Sequence, residues 1–242
     1  MLSTCLMLSL LFLASGCRRA GGGAGSRVDY SKAKATVNSE QGFMTSCPVG
    51  MVLVPAGPML YGPTEEKSIT PPESEAPQRL NTKAFCMDKY EYPNQPGESP
   101  MRSVSWLEAK NLCSTKGKRL CSEYEFEKAC RGSGGTRFTY GDGFFEGACP
   151  NSAQDYGLGQ FSNCVSGFGV HDLGGGVYEW SASVPAGEAE NTDLRVLRGG
   201  MSEDNTVKTS RCTYRVRYAG SNSGREIGFR CCGSPVKEEL AK

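Results

Sequence analysis

The clearest pattern in the chain is a pair of short amphipathic segments, each opened by a serine that is followed three residues later by a glutamate. Ser105 with Glu108 and Ser122 with Glu125 have this spacing, which predicts two capping boxes. Apolar residues then recur at helical spacing, and a glycine follows each segment. We therefore predict two neighbouring helices, each with one buried face that includes a cysteine.

Alternating apolar and polar residues predict short strands around these helices. The predicted strands lie at residues 51–57, 85–92, 177–180, 195–198, 214–218 and 227–231. Residues 63–82 are rich in Pro, Glu, Ser and Thr, which is typical of a surface loop. Residues 132–176 contain 13 glycines and no helical pattern, so we expect ordered loop there.

The N-terminal residues have the composition of an export signal. An uncharged apolar stretch ends in Ala-Ser-Gly before Cys17, which resembles a bacterial lipoprotein signal with Cys17 as the lipidated residue. We expect a signal at 1–17, a Gly-rich tether at 18–46, one domain at 47–233 and a tail at 234–242. The expected location is the cell envelope, lipid-anchored at the outer membrane. Plain secretion is the alternative.

Charge and cysteine content narrow the function classes. The formal net charge is +1, which argues against nucleic acid as a partner. A single histidine excludes any site built on two or three imidazoles. Without Cys5 and Cys17, ten cysteines remain, and an exported chain with an even number of them favours disulfides. These ten are Cys47, Cys86, Cys113, Cys121, Cys130, Cys149, Cys164, Cys212, Cys231 and Cys232. We expect the adjacent Cys231 and Cys232 to point to opposite faces of a strand and to have different partners.

Eight segments, in chain order, resemble one known family. They lie at residues 51–57, 88–91, 104–109, 117–127, 131–132, 169–180, 198–200 and 228–230. Together they resemble the formylglycine-generating enzyme, or sulfatase-modifying factor, domain family, which includes ergothioneine sulfoxide synthase and pyoverdine-maturation relatives. The resemblance implies an α+β fold, a variant of the C-type lectin fold. It has a small twisted antiparallel sheet, two helices and a high loop content.

The resemblance also implies where an oxidase of this family holds copper. Two cysteine thiolates follow the Arg-Gly-Gly motif, and a serine comes directly after it. Here Met201 stands at the serine position, Asp204 near the first cysteine position and Cys212 near the second. A carboxylate does not replace a thiolate for Cu(I). Cys212 is therefore the sole candidate catalytic residue, and we expect no copper site.

Other expectations come from the same resemblance. It implies the disulfide pairs Cys113–Cys231, Cys130–Cys212, Cys47–Cys86, Cys149–Cys164 and Cys121–Cys232. It also implies a structural calcium site, for which Asp142, Asn151 and Glu179 supply oxygen atoms. Turn residues are the alternative interpretation of Asp142 and Asn151. We interpret His171 as a loop or core histidine.

Aromatic and arginine residues in two predicted strands suggest binding. Tyr178, Trp180, Arg215 and Arg217 are candidates for an exposed surface that contacts a protein or peptide partner. The alternative for the second strand is one core face and one solvated face. The sequence thus favours an envelope lipoprotein whose domain is a non-catalytic binding module. A metal-dependent oxidase that modifies exported proteins is one alternative, and a lectin-like carbohydrate binder is another.

Overall fold

The structure is a computed structural model that describes residues 36–38, 43–62, 77–200 and 206–239. The helices in these residues are α1 (Trp106–Thr115), α2 (Glu123–Arg131) and α3 (Thr206–Thr209). The strands are β1 (Thr36–Asn38), β2 (Phe43–Ser46), β3 (Met51–Val54), β4 (Gly57–Tyr61), β5 (Gln78–Thr82), β6 (Phe85–Asp88), β7 (Arg119–Leu120), β8 (Tyr178–Trp180), β9 (Leu194–Gly199), β10 (Arg215–Ala219), β11 (Ile227–Gly228), β12 (Cys231–Gly233) and β13 (Val236–Glu239). Short strands and few helices confirm the α+β class.

The first two helices begin where the capping boxes predict. The Ser105 hydroxyl accepts from the backbone N–H of Glu108, whose carboxylate accepts from the Ser105 N–H at 2.8 Å. Ser122 and Glu125 repeat this reciprocal pair at the start of α2. These bonds satisfy amide groups that a helix start would leave without partners. The four-residue helix α3 was not predicted, since it is too short to show a periodic pattern.

The described strands form four small sheets. Their strand orders are β1-β2-β13, β10-β9-β8-β11, β3-β6-β12-β7 and β4-β5. All pairs in these sheets are antiparallel except β8 with β11, where Ile227 lies opposite Tyr178 in a parallel pair. The single sheet that the resemblance implied is thus several small ones, because loops and disulfides connect strands that are too short to form one continuous ladder.

Two buried clusters form the core. The first joins α2 to β3 and β6, and Phe85, Met87 and Phe126 are among its members. The second joins α1 to the sheet that contains β8 and β9, with Trp180 and Phe229 fully buried in it. Burying one such side chain contributes roughly 1.5–3 kcal/mol.

The two ends of the described chain differ from the prediction. Residues 18–46 were expected to be a tether and residues 234–242 a tail, yet β1, β2 and β13 form a sheet. In it, Val236 lies opposite Ser46 and Glu239 opposite Phe43. This pairing joins segments about 190 residues apart, and neither segment has a strong strand pattern by itself. The structure therefore differs from the expected tether at Thr36–Asn38 and Phe43–Ser46, and from the expected tail at Val236–Glu239. The signal segment and Cys17 lie outside the described residues.

The glycine-rich residues 132–176 contain no helix or named strand, as predicted. Phe138, Leu158 and Leu173 anchor this segment by side chains that are fully buried. Isolated bridges pair Phe138 with Gly141 and Val165 with His171. In the part of the chain that the structure describes, no helix has the length and apolar character needed to cross a bilayer.

Candidate functional site

Every cysteine that the structure describes forms a disulfide. The pairs are Cys47–Cys86, Cys113–Cys231, Cys121–Cys232, Cys130–Cys212 and Cys149–Cys164. They are the same pairs that the resemblance implies. Cys231 and Cys232 project from opposite faces of β12, so one reaches α1 and the other reaches the residue that follows β7.

The disulfide between Cys130 and Cys212 decides the chemistry at the position of the family's copper site. Both cysteines are buried, and Cys130 projects from the core-facing side of α2. Arg198 donates to the carbonyl oxygen of Cys212 at 2.7 Å, which holds this segment against β9. A disulfide sulfur is not a thiolate ligand. Met201 and Asp204 lie outside the described residues, but their side chains supply no thiol, so the residues present do not fit a two-thiolate copper site.

A buried ion network surrounds that disulfide, and we call it the Arg198 network. Its members are Glu123, Glu127, Arg131, Arg198 and Arg215. Glu123 and Glu127 lie one turn apart on α2, and the two strand arginines lie directly opposite each other on β9 and β10. Arg198 binds Glu127 at 2.7 Å, Arg215 binds Glu123 at 3.1 Å, and Arg131 binds Glu127 at 3.2 Å. This network clamps α2 onto the sheet.

A second buried network, the Arg230 network, consists of Glu91, Asp172, Glu179, Tyr156 and Arg230. The Arg230 guanidinium donates to both carboxylate oxygens of Glu179 at 2.7 Å, and its Nη2 lies 3.6 Å from Glu91 Oε2. The Tyr156 hydroxyl donates to the other Glu91 oxygen at 2.7 Å. Glu91 Oε2 and Asp172 Oδ1 are buried without a hydrogen-bond donor in the described residues. Arg230 is thus the one cation of this network, which contains three buried carboxyl groups.

The surplus of acid shifts the pKa values in the Arg230 network upward. Burial raises the pKa of Glu91 well above its ordinary value, and the negative charge of Asp172 adds to this. Burial also raises the pKa of Asp172 to about 6, although the Gly159 N–H and Arg230 oppose the shift. Buried carboxyl groups close to one another cannot all ionise without a large cost. We conclude that this network holds protons at mildly acidic pH.

The residues named for calcium already have protein partners. Glu179 is bound by Arg230 through both oxygens, and the Asp142 carboxylate accepts from the Arg137 N–H at 3.0 Å. The Asn151 side-chain oxygen accepts from the N–H groups of Ala153 and Gln154, as in an Asx turn. No cluster of three or more His, Cys, Asp or Glu side chains suited to a metal is found in the described ranges. These contacts do not favour a calcium site at these residues, which stays a prediction.

The four residues named for surface binding are not a single exposed patch. Trp180 is buried, and its indole N–H donates to the Val104 carbonyl oxygen at 2.7 Å. The prediction that Trp180 lies on an exposed surface is therefore wrong. Tyr178 is half-buried and packs on the second core cluster. Arg215 belongs to the Arg198 network, and Arg217 pairs with Glu188 at 3.3 Å. The alternative of one core face is correct for β10, because Val216 and Tyr218 pack on the second core cluster.

A cleft lies elsewhere, between the loop before β3 and the glycine-rich segment. This cleft has a volume of about 1250 Å³, and its walls include Lys89, Tyr140 and His171. The backbone N–H of His171 donates to the backbone carbonyl oxygen of Lys89 at 2.9 Å, which places the two residues side by side. The His171 ring lies 5.0 Å from that of Tyr90, and the Lys89 ammonium lies 5.4 Å from the same ring centre.

The imidazole in the cleft is neutral at physiological pH. Burial lowers the pKa of His171 to about 4, and the positive charges of Lys89 and Arg230 contribute to the shift. Sequence reasoning found the residue but not the cleft, since its walls come from segments more than 80 residues apart. The three carboxyl groups of the Arg230 network were also missed, except Glu179. A signal exists for Glu91 and Glu179, because each interrupts apolar residues of a predicted strand, but Asp172 lies in the glycine-rich loop and has none.

Comparison with known proteins places this fold and its sequence motifs in one family. The model of the sulfatase-modifying factor enzyme 1-like domain matches residues 91–234. The inactive C-alpha-formylglycine-generating enzyme 2 of Mus musculus is 33% identical over 165 residues, which cover 59% of this chain and 52% of that protein. The formylglycine-generating enzyme of Mus musculus is 30% identical over 162 residues, covering 54% of this chain and 43% of that protein. The chain thus spans about half the length of these curated relatives.

A solved structure agrees with this assignment at the level of the fold. PvdO from Pseudomonas aeruginosa superposes with a TM-score of 0.57 at 23% identity, covering 76% of this chain and 94% of PvdO. The family model covers more than half of the chain, and the motifs that carried the resemblance fall mostly within the matched residues. The chain belongs to the sulfatase-modifying factor enzyme 1-like domain family.

Proposed function

We propose that this chain is a non-catalytic member of its family and acts as a binding module for a protein or peptide partner. The observation that carries the proposal is the buried disulfide of Cys130 with Cys212. It removes the one thiol near the position where a family oxidase needs two thiolates. The carbonyl of Cys212 is held in turn by Arg198, so this segment is part of the protein's structural framework.

The comparisons support the same direction. One relative at 33% identity is described as an inactive formylglycine-generating enzyme, and the family also contains active enzymes. Fold therefore does not determine activity, and the residues at the site must decide it. In this chain they are Met201, Asp204 and a disulfide-bonded Cys212.

The test is an oxidase assay combined with a thiol count. The purified domain, supplied with copper and oxygen, should leave the cysteine of a Cys-x-Pro-x-Arg peptide unchanged, as followed by mass spectrometry. Alkylation of the unreduced domain should label none of the ten described cysteines. An active formylglycine-generating enzyme under the same conditions serves as the positive control. Formation of formylglycine, or labelling of Cys212, would refute the proposal.

We further propose that the module is displayed in the cell envelope through a lipid on Cys17, at the outer membrane. The apolar stretch before Ala-Ser-Gly-Cys supports the lipid on Cys17. The arginines at positions 18 and 19 give no sign of retention in the inner membrane, which supports the outer membrane. More than one acyl chain is needed for stable anchoring. Cys17→Ser should move the protein from the membrane fraction to the soluble fraction, whereas Cys5→Ser should not. If Cys17→Ser leaves the distribution unchanged, the anchor assignment is wrong.

A further inference from the structure

The cleft beside His171 has a size and a lining that suggest a ligand. Its volume of about 1250 Å³ exceeds the roughly 300–1,000 Å³ that is typical of pockets for small molecules. Neither Tyr178 nor any residue of the Arg-Gly-Gly motif lines it. The cleft therefore needs an explanation of its own.

The charge of the walls is one-sided. Lys89 and Arg131 line the cleft, and among the described residues that line it none is aspartate or glutamate. Arg131 is committed to Glu127, whereas the Lys89 side chain is half-exposed and lies over Tyr90. Lys89 is thus the cation in this wall that a ligand can reach.

His171 adds a second donor beside Lys89. Its Nδ1 is buried and has no hydrogen-bond partner in the described structure. A buried N–H without an acceptor is rarer than a buried acceptor without a donor, so the proton of the neutral ring belongs on Nε2. Nε2 is not among the buried side-chain atoms without a partner, and no hydrogen bond to it is found in the described residues, so its N–H is left available to a ligand in the cleft. The ammonium of Lys89 and this N–H together suit an acceptor with a negative charge.

The remaining walls suit a chain rather than a compact ligand. Six of the lining residues are glycines: Gly50, Gly132, Gly134, Gly141, Gly167 and Gly169. Without side chains, these positions expose backbone groups to which an extended peptide can approach closely. Val49 and Phe145 are exposed apolar side chains that also line the cleft. Such residues can contact apolar side chains of a partner.

From this arrangement we propose that the cleft binds an extended peptide segment that places a carboxylate against Lys89 and His171. The proposal rests on the proposed function, since it gives the binding module a site and a class of partner. The carboxylate satisfies the two donors, and the neighbouring residues of the peptide lie along the glycine walls and the apolar rim. An acidic segment of another protein is the source to which the proposal commits.

The single histidine of the chain makes the test direct, because its ring signals in an NMR spectrum come from the cleft alone. The probes are two pools of end-blocked heptapeptides with uncharged random flanks, one with central glutamate and one with central glutamine. The glutamate pool should shift the His171 signals at pH 7, and the glutamine pool should bind about tenfold more weakly. Equal shifts from both pools, or no shift from the glutamate pool, would overturn the proposal.

Two controls distinguish binding in the cleft from non-specific attraction, and a peptide ligand from a free carboxylate. Lys89→Met should weaken binding of the glutamate pool by about tenfold, while Lys116→Met, which removes an exposed ammonium outside the cleft, should leave it unchanged. Equal loss in both variants would indicate non-specific attraction and refute the site. Acetate at the same carboxylate concentration should produce smaller shifts, and equal shifts would refute a peptide ligand. None of these results alters the oxidase assay, so failure of the site is distinguishable from failure of the non-catalytic assignment.

Discussion

The Arg198 network and the Arg230 network are both buried, but their balance of charge is opposite. In the first, three arginines face two glutamates, and both glutamates have an arginine within 3.2 Å. In the second, one arginine faces three carboxyl groups, and two carboxyl oxygens have no donor. The two networks lie in the same small domain, so they provide an internal comparison of a buried site with surplus cations and a buried site with surplus acid.

The comparison shows that burial alone does not determine what a charged cluster does. A network with enough counter-charges can remain ionised and hold elements together, as α2 is held to β9. A network with surplus acid must take up protons or lose stability, because isolated buried charges are costly. The first network should thus respond mainly to loss of a partner, and the second also to pH.

The largest effect is expected from Arg230→Met at pH 7. This change leaves Glu179 and Glu91 buried without a cation, and breaking a buried pair in this way costs about 3–5 kcal/mol. Urea denaturation of the oxidised protein measures the free energy of unfolding. A loss below about 1 kcal/mol, the range of exposed pairs, would show that the network is not buried as described.

A smaller loss is expected from Arg198→Met, about 3 kcal/mol at the lower end of the same range. Glu123 keeps Arg215 and Glu127 keeps Arg131, so neither carboxylate is left without a partner. The same denaturation experiment ranks the two variants. If Arg198→Met proves more damaging than Arg230→Met, the contrast between the networks is refuted.

Lowering the pH should reduce the penalty of Arg230→Met. Burial raises the pKa of Asp172 to about 6, so at pH 5 this carboxyl group holds a proton and needs the guanidinium less. The raised pKa of Glu91 acts in the same direction. Comparing both arginine variants with the wild type at pH 7 and pH 5 measures this. The difference in the free energy of unfolding between the two variants should narrow by about 1 kcal/mol or more at pH 5. This is the equivalent of about one proton shifted by one pKa unit. A gap that widens at pH 5 would contradict the surplus of acid.

Asp172→Asn should isolate one of the titrating groups. The pKa of Asp172 is raised from 3.8 to about 6, so its contribution to stability is fully present below pH 3.8 and is lost as the pH rises through 6. The asparagine does not ionise and tolerates the φ of 63° at this position. The stability of Asp172→Asn relative to the wild type should therefore rise between pH 4 and pH 6 and then level off, as measured by thermal unfolding. A relative stability that falls over this interval would contradict the assignment.

The smallest effect concerns His171, next to Asp172 on the cleft side. Its ring should titrate with a pKa near 4, since burial disfavours the imidazolium ion and Lys89 and Arg230 repel it. NMR titration of the single histidine measures this value without ambiguity. Lys89→Met should raise it modestly, because burial remains the largest cause, whereas Lys116→Met should not. A wild-type pKa near 6.5 would show that the ring is solvated.

Several features of the fold followed from the sequence for local reasons. The capping boxes at Ser105 and Ser122 bond groups only three residues apart, so they predicted both helix starts. The even count of cysteines, in a chain expected to be exported, predicted disulfides, but their pairing came from family resemblance and not from the residues alone. The copper site could be judged from the sequence, because it depends on which side chains stand after Arg198-Gly199-Gly200.

Other features could not be predicted because they depend on residues that are distant in the chain. Trp180 was assigned to a surface, since its strand does not reveal which face the helix α1 covers. The sheet of β1, β2 and β13 joins the two ends of the described chain, and no local pattern shows such a partner. The same is true of the Arg230 network, because Glu91, the segment with Asp172 and Glu179, and Arg230 itself are far apart in the chain.

By itself, the sequence determined the positions of α1 and α2, the glycine-rich loops, the presence of disulfides and the side chains that follow the Arg-Gly-Gly motif. Each of these depends on the identity or close spacing of residues. Only the tertiary structure decided which charges share a buried site and that Lys89 and His171 meet in a cleft. Electrostatic and hydrogen-bond energies depend on distance and burial, and both arise when folding brings remote segments together.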